Sequence, residues 1–267
     1  MTEVSYVYGV ARDRGGCLDE VVADVPGVAD AEVRLVRSER RRDVVIAASS
    51  VPAVDFNEAA LRTHLEDLEW LESVARAHHR VIEALAARTT VMPLRLATVY
   101  LDDDRVRAML DERLAAFDRR LADLDGLVEW GVKIYVDVTE AEDAAPEPSA
   151  GSGREYLRRR RAVRHAHEDV YRAVEEAAAR VASVAGGYAV ERAQHRAQQG
   201  QLLAGPGENV VNDAYLVPAH HTEEFRSDVE RSARGLTGIR IDVTGPWAPY
   251  SFAAPPPTDT TARSVRP

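Results

Sequence analysis

The sequence predicts a protein of the α+β class, with two domains in a chain of 267 residues. Three observations lead to this fold class. Runs rich in β-branched and aromatic residues, such as Val4–Val10, are typical of strands. Apolar residues at helical spacing between Leu61 and Leu85 indicate a long amphipathic helix. From Val91 to Asp137 an extended run, a helical run and a second extended run follow one another, which predicts a strand–helix–strand unit.

The first 88 residues are predicted to form the smaller domain, with three strands and a long helix. Ala31–Arg37 alternates apolar and charged residues, as a half-buried strand does, and Asp43–Ala48 is a further β-rich run. A short run of arginines separates these two, which predicts a hairpin. The helix is expected to begin at Asp55 or Asn57, both suitable N-caps, and to end near residue 88. Its predicted apolar face consists of Leu61, Leu65, Leu68, Leu71, Ala75, His78, Ile82 and Leu85.

The second domain is predicted to cover residues 89–252. Its first strand is Val91–Tyr100 and its second is Val128–Asp137. The helix between them begins at three carboxylates, Asp102–Asp104, which suit the positive end of a helix dipole. The later elements are a strand, a helix and a strand, at residues 209–217, 222–234 and 239–243.

An insertion is predicted at about residues 141–205 of this domain. It begins in a linker, 139–153, that is acidic and then rich in proline, serine and glycine, and it continues as a helix to about Ala185. Without the insertion the order of elements is β-α-β-β-α-β, so we predict a modified ferredoxin-like sheet with a helical insertion. Alternatively, the strand at 91–100 completes the sheet of the first domain. The tail, 253–267, is of low complexity and is predicted to be disordered.

The charge and hydropathy of the chain exclude several classes of function. A formal net charge of −10 argues against nucleic-acid binding, which normally needs a basic face, and disfavours anionic membrane surfaces. No apolar run approaches the roughly 20 residues that span a bilayer. The N-terminus lacks the basic and apolar regions of a signal peptide. We therefore expect a cytoplasmic protein that binds neither nucleic acid nor a membrane.

No residue pattern indicates catalysis, a metal or a cofactor. The single cysteine, Cys17, excludes thiolate clusters, and the histidines lack ligand spacing. His78 and His79, for example, are adjacent and diverge by about 100° around their helix. The motifs of phosphate-binding loops, dinucleotide-binding turns, nucleophile elbows and zinc-binding helices are absent. Asp102–Asp104 could hold a hard cation, although a helix start explains these carboxylates as well. We predict a non-enzymatic protein without metal or cofactor.

Several stretches of the chain resemble a known family. They are Tyr6–Val10 at the N-terminus, Val91–Val99 with Val128–Val136, and Asn212–Val217 followed by Thr244–Phe252. The last of these reads TGPWAPYSF, and its GPW-x-PYSF pattern is the most specific part. From its N-terminus to the end of this motif, the chain resembles the gas vesicle protein family that comprises the accessory proteins L and F.

The resemblance implies an accessory protein of gas vesicle assembly without enzymatic activity. Gas vesicles are gas-filled protein compartments that give buoyancy, and their walls are built from a small, very hydrophobic shell protein. The resemblance implies that this chain binds the shell protein as a minor vesicle component or an assembly factor, and in some members of the family other accessory proteins are bound too. It also implies two α+β domains, the second of them a modified ferredoxin-like one, and it brings no catalytic residues.

The C-terminal motif supplies the candidate partner-binding residues Trp247, Tyr250 and Phe252. Gly245-Pro246 ends a strand and Pro249 adds a second bend, so the three aromatic rings are directed to particular sides. One interpretation is that these rings fill the space between the two predicted domains. The other is that they form an aromatic platform for an apolar partner, since aromatic residues often anchor interfaces.

Two other classes of function stay open at this point. One is a ferredoxin-like regulatory module that binds a small effector. The other is an enzyme whose site none of the known motifs reveals.

Overall fold

The computed structural model describes residues 2–64, 66–136, 172–197, 207–232, 234 and 238–254. The chain forms two compact units. The first unit comprises residues 1–126 together with 247–267, and the second comprises residues 127–246. Each unit combines an antiparallel sheet with helices, so the predicted mixture of helices and strands is confirmed.

The first unit contains a five-stranded sheet. Its strands are β1 (Glu3–Arg12), β2 (Val33–Arg37), β3 (Val44–Pro52), β4 (Val91–Pro93) and β5 (Val99–Tyr100). Its helices are α1 (Leu18–Ala23), α2 (Ala53–Phe56), α3 (Glu58–His64), α4 (Leu68–Ala86), α5 (Asp103–Glu112) and α6 (Leu114–Asp123). Short 3₁₀ turns occur at Val28–Asp30 and Tyr250–Phe252. The strand order is β2-β3-β1-β4, and β5 also pairs with β1.

The predicted N-terminal strands and hairpin are confirmed. β2 pairs antiparallel with β3, with Val33 opposite Ser49 and Arg37 opposite Val45. β1 lies in the middle of the sheet and is buried from Ser5 to Ala11. A strand that is buried on both faces needs a continuous apolar run instead of an alternating one, and this explains the composition of β1.

The single long helix predicted to end near residue 88 is divided into α2, α3 and α4. Asn57 is an N-cap, but of α3, because its side-chain oxygen accepts a hydrogen bond from the Ala60 amide over 2.9 Å. Asp67 caps α4 by accepting bonds from the amides of Glu69 and Trp70. Leu68 was predicted on the buried face, but it is the first residue after this cap and is 66% exposed.

The strand predicted at 91–100 belongs to the first unit and not to the second. Its two parts, β4 and β5, both pair with β1, with Val91 opposite Ala11 and Val99 opposite Tyr6. They satisfy backbone groups of β1 that would otherwise lie at an open sheet edge. The boundary between the units therefore lies between residues 126 and 127, and not between residues 88 and 89 as predicted. The alternative prediction, in which the strand at 91–100 completes the sheet of the first domain, is the one observed.

The second unit contains a four-stranded sheet and two helices among its described residues. Its elements are β6 (Leu127–Val136), α7 (residues 172–186), β7 (Glu191–Gln194), β8 (Glu208–Pro218), α8 (Thr222–Ser232) and β9 (Ile239–Trp247), whose last residue already belongs to the first unit. The strand order is β7-β8-β6-β9. A core cluster joins the sheet and both helices, and it includes Trp130, Ile134, Val181, Tyr215 and Phe225.

The predicted insertion at 141–205 is wrong for the residues that the structure describes there. β7 pairs antiparallel with β8, with Ala193 opposite Ala214, so it is part of the sheet. Val181 and Ala185 of α7 are buried in the core cluster of this unit. β7 is a short and polar edge strand, and for this reason no apolar alternation marks it in the sequence. The predicted linker at 139–153 and the predicted disorder beyond residue 254 lie outside the described residues.

Candidate partner-binding site

The C-terminal segment of the first unit, residues 247–254, is fixed to that unit by two buried side chains. Ala248 belongs to its core cluster, and Phe252 is only 4% exposed. The backbone is held as well, because Nε of the buried Arg120 donates a hydrogen bond to the Phe252 carbonyl over 2.8 Å. The Tyr250–Phe252 turn is therefore a fixed part of the surface of this unit.

The other two aromatic residues of this segment are exposed side by side. Trp247 is 38% exposed and Tyr250 is 37% exposed. Both contact His79 of α4: the Tyr250 hydroxyl lies 3.0 Å from Nδ1, and the Trp247 ring centroid lies 5.4 Å from that of the imidazole. Nε2 of His79 lies 3.1 Å from a carboxylate oxygen of Glu83. We call Trp247, Tyr250 and His79 the aromatic surface.

Of the three predicted site residues, the structure brings Trp247 and Tyr250 together at the surface and places Phe252 in the interior. The spacing of the motif explains this division. A 3₁₀ turn from Tyr250 to Phe252 directs neighbouring side chains to different sides, so that one ring is buried while the other remains accessible.

A cavity of about 830 Å³ adjoins the aromatic surface within the first unit. It lies among α4, α5, α6, the chain from Met92 to Tyr100, and the C-terminal segment. Most of its lining is apolar. The lining includes His78, Met92, Arg95, Met109, Arg113 and Ala116.

The charged groups that line this cavity are all basic. Of the residues that the structure describes, Arg95, Arg113 and Arg120 line it together with the two histidines of α4, and no aspartate or glutamate does. In a chain of net charge −10 this is a local reversal of sign. Arg95 and Arg113 make no ion pair with a carboxylate of the described part of the chain. The cavity therefore combines apolar walls with excess positive charge.

His78 is, like Arg120, a buried polar residue of the cavity wall, and it is 3% exposed. Its Nδ1 lies 2.9 Å from the Tyr6 hydroxyl, whose oxygen also accepts a hydrogen bond from the Ala97 amide. Burial, reinforced by the neighbouring His79, lowers the pKa of His78 to about 4, so the imidazole is neutral at neutral pH. Burial raises the pKa of Tyr6, so its phenol keeps its proton. In the described part of the chain, Nδ1 is the one acceptor within reach of that proton, so we assign Tyr6 as the donor of this hydrogen bond.

This arrangement determines which atom of His78 carries the ring proton. Because Nδ1 accepts the hydrogen bond from Tyr6, the neutral ring carries its proton on Nε2. Among the described residues, Nε2 has no hydrogen-bond partner. His78, which lines the cavity, thus carries a buried N–H donor that no described residue satisfies.

The structure offers no metal centre among the residues it describes, since nowhere there do three or more histidine, cysteine, aspartate or glutamate side chains converge. The predicted helix-start carboxylates have other partners. Asp102 caps α5 by accepting a bond from the Arg105 amide over 2.8 Å. Asp103 accepts bonds from Arg34 and Ser5, and the Arg34 guanidinium lowers the pKa of this carboxyl group. These contacts account for both carboxylates as structural groups.

Sequence reasoning missed the cavity, although one signal of it was available. The chain has three methionines, at 1, 92 and 109, and both internal ones line the cavity. Methionine is flexible and polarisable, and it is enriched at surfaces that adapt to apolar ligands. The two residues lie on different elements, however, and only the fold brings them together.

The fold and the site define a two-unit α+β protein with an exposed aromatic surface beside an apolar, basic cavity. Within the described part of the chain, no helix has both the length and the apolar character needed to cross a membrane. The model of the gas vesicle synthesis protein GvpL/GvpF family matches residues 4–254, and the chain belongs to this family. It is therefore a protein of gas vesicle formation, from an accessory family that is not a known class of enzyme.

Individual relatives agree with this assignment. The chain is 41% identical over 254 residues to gas vesicle protein L of Streptomyces sp. (strain CB03234), with 94% of this chain and 92% of that protein covered. It is 26% identical over 255 residues to gas vesicle protein F of the same strain, with 93% and 98% covered. The match to protein L is thus the stronger of these two.

Two crystal structures of gas vesicle protein GvpF have the same fold. The protein from Anabaena sp. PCC7120 matches with a TM-score of 0.66 at 19% identity, covering 94% of this chain and 96% of that one. The protein from Microcystis aeruginosa matches with a TM-score of 0.63 at 18% identity, covering 94% and 99%. At these identities the similarity concerns the fold alone.

Proposed function

We propose that this protein binds the gas vesicle shell protein directly and keeps it dispersed until it is added to the vesicle wall. A very apolar subunit aggregates in water unless its surface is covered, because water drives exposed apolar surfaces together. The place of action is the cytoplasm, at the growing vesicle. Other accessory proteins are further candidate partners.

The observation that carries this proposal is the aromatic surface. Trp247 and Tyr250 are exposed, yet their segment is fixed by the buried Ala248 and Phe252. Exposed aromatic side chains that are already held in place lose little conformational entropy on binding, and such residues dominate interface energies. A fixed aromatic pair is the feature expected of a surface that binds an apolar partner.

The charge of the chain supports the same function. A net charge of −10 opposes self-association of the carrier, so that its aromatic surface remains available to the client. The Phe252 ring is buried, and we assign it the role of fixing the segment instead of contacting the partner.

We also propose that the second unit is a modified ferredoxin-like domain whose sheet edges are a second candidate surface. The order of its described elements, β6-α7-β7-β8-α8-β9, and its strand order, β7-β8-β6-β9, support this assignment. The edge strands β7 and β9 expose backbone groups with which a client strand is able to pair. This surface is independent of the aromatic surface, so each is testable alone.

A pull-down of the shell protein tests the proposal. The immobilised wild-type protein is expected to retain the shell protein, whereas a Trp247→Ala/Tyr250→Ala double variant is expected to lose most of it. Val54→Ala is the matched control, because Val54 is 64% exposed and lies outside the aromatic surface. Retention by the folded double variant at the wild-type level would remove the aromatic surface from the proposal and leave the sheet edges. Failure of the wild-type protein to retain the shell protein would contradict the proposal itself.

A further inference from the structure

We propose that the cavity of the first unit binds a small organic acid with an apolar body and one carboxylate. The inference goes beyond the proposed function, because it concerns a free small molecule and its assay contains no shell protein. A volume of about 830 Å³ lies within the range of natural ligand pockets, roughly 300–1,000 Å³. Three properties of the lining point to this ligand: its shape, its charge and its unsatisfied donor.

The apolar walls determine the body of the ligand. Met92 and Met109 lie on different elements and both line the cavity, together with leucine, alanine and phenylalanine side chains. Flexible thioethers accommodate apolar groups of different shapes better than branched side chains do. The walls therefore favour an alkyl or aryl group and do not require one specific ring system.

The charge of the cavity determines the sign of the head group. Arg95 and Arg113 are exposed residues that line the cavity, and neither is paired with a described carboxylate. A guanidinium group binds a carboxylate through parallel N–H donors. Since none of the described residues that line this cavity is acidic, its arginines favour an anionic ligand over a cationic one.

The buried histidine supplies a hydrogen-bond donor. Nε2 of His78 carries the ring proton because Nδ1 accepts the Tyr6 hydroxyl, and Nε2 has no partner in the described part of the protein. A buried polar group without a partner destabilises the folded protein, so a ligand that supplies an acceptor relieves this cost on binding. A carboxylate has such acceptors and carries the charge that the arginines require.

Isothermal titration of the full chain with decanoate, kept below the concentration at which it forms micelles, tests the inference. We expect one decanoate per chain, and at least tenfold weaker binding of decanol and decylammonium. Absence of decanoate binding would overturn the inference. Equal affinity for decanol or decylammonium would overturn it too, because the basic lining would then make no contribution.

Variants locate the binding site. Arg95→Gln/Arg113→Gln is expected to weaken decanoate binding at least tenfold, while Arg62→Gln/Arg76→Gln, which alters two exposed arginines outside the cavity, leaves it unchanged. Ala116→Phe introduces a ring on the cavity wall and is expected to abolish binding. Ala115→Phe is its control, because Ala115 is an exposed neighbour that does not line the cavity. If each variant binds as its control does, decanoate occupies another place and the inference is wrong.

His78→Phe tests the proposed hydrogen bond. It keeps an aromatic ring in the wall and removes the N–H donor, and it is expected to weaken decanoate binding about tenfold, the size of one hydrogen bond to a charged group. A cooperative unfolding transition, recorded on the same preparation, establishes that the variant is folded. Unchanged affinity in a folded His78→Phe protein would overturn the role of this donor.

Discussion

In the interior of the first unit, the Tyr6 hydroxyl donates a hydrogen bond to Nδ1 of His78 over 2.9 Å. The two residues are 72 positions apart in sequence, on β1 and α4, so this bond connects the central strand to the helix that covers it. Both are at most 3% exposed. The imidazole must be neutral to accept the bond, which makes the stability of this unit depend on pH.

Stability is predicted to fall as the pH decreases from about 6.5 to about 4. Burial lowers the pKa of His78 from 6.5 to about 4, so in this range the unfolded chain binds a proton that the folded chain does not. The stabilising contribution of the neutral ring is complete above pH 6.5 and is lost progressively below it. When the pH is lowered from about 7.5 to about 5, the protonation of this residue alone lowers the unfolding free energy by about 2 kcal/mol.

Urea denaturation of the wild-type protein and of His78→Phe at both pH values measures this effect. The unfolding free energy of the variant is expected to depend less on pH, by about 2 kcal/mol, because the titrating group is gone. His220→Gln, which removes an exposed imidazole, controls for the loss of a histidine as such. Equal pH dependence in the wild-type protein and His78→Phe would show that His78 is not buried in its neutral form.

Gly245→Ala is predicted to destabilise the second unit by about 1–3 kcal/mol. Gly245 has a φ of 141°, which side chains other than glycine rarely adopt, and an added Cβ would lie 2.9 Å from the Glu129 carbonyl oxygen. Gly186→Ala is the matched control, since an added Cβ there meets nothing within 4 Å. Thermal unfolding of both variants is the measurement. A loss of stability in Gly186→Ala equal to that in Gly245→Ala would show that the position of the glycine does not matter.

Val181→Ala is predicted to lower the unfolding free energy by about 2 kcal/mol, as expected for two buried methyl groups and the space they leave. Val181 of α7 is 1% exposed in the core of the second unit. Val190→Ala is the control, because Val190 is 57% exposed. Urea denaturation compares the two. If Val181→Ala is as stable as its control, α7 does not belong to the core and is peripheral to the sheet of this unit.

The sequence reveals the elements of this protein better than it reveals their pairing. β1, β2, β3, β8 and α8 are predictable because each has its own apolar pattern. The pairing of residues 91–100 with β1 is not, because a β-rich run is equally suited to either sheet. β7 is not predictable from the sequence, because Glu191–Gln194 is polar and has no apolar alternation. The strand conformation of β7 depends on its pairing with β8.

The candidate site shows the same difference: its local motif is predictable from the sequence, whereas its tertiary contacts are not. The motif around Trp247 and Tyr250 is recognisable as three closely spaced aromatic residues interspersed with two prolines. Which ring is exposed depends on contacts with distant residues, such as the bond from Arg120 to the Phe252 carbonyl, 132 positions away. The unsatisfied donor of His78 depends in the same way on Tyr6. Contacts of this kind are set by the tertiary fold and have no local pattern.

Trp247→Ala and Tyr250→Ala are each predicted to weaken binding of the shell protein by about tenfold or more, with little change in stability, because both rings are more than a third exposed. Phe252→Ala is predicted to change the stability more than the affinity. It is expected to lower the unfolding free energy by about 3–5 kcal/mol, because the Phe252 ring is buried. Affinity and thermal unfolding are measured on the same preparations. Loss of stability without loss of affinity in Trp247→Ala would show that this ring serves packing alone.

Aggregation of the shell protein, followed by light scattering after dilution from denaturant, tests the central claim most directly. With an equimolar amount of this protein present, we expect the rise in scattering to be suppressed and the two proteins to elute together from a sizing column. An acidic protein of similar size and charge serves as the control for non-specific effects of charge. If scattering rises as fast as it does with the control protein, this chain does not keep the shell protein dispersed, and the proposed function is wrong.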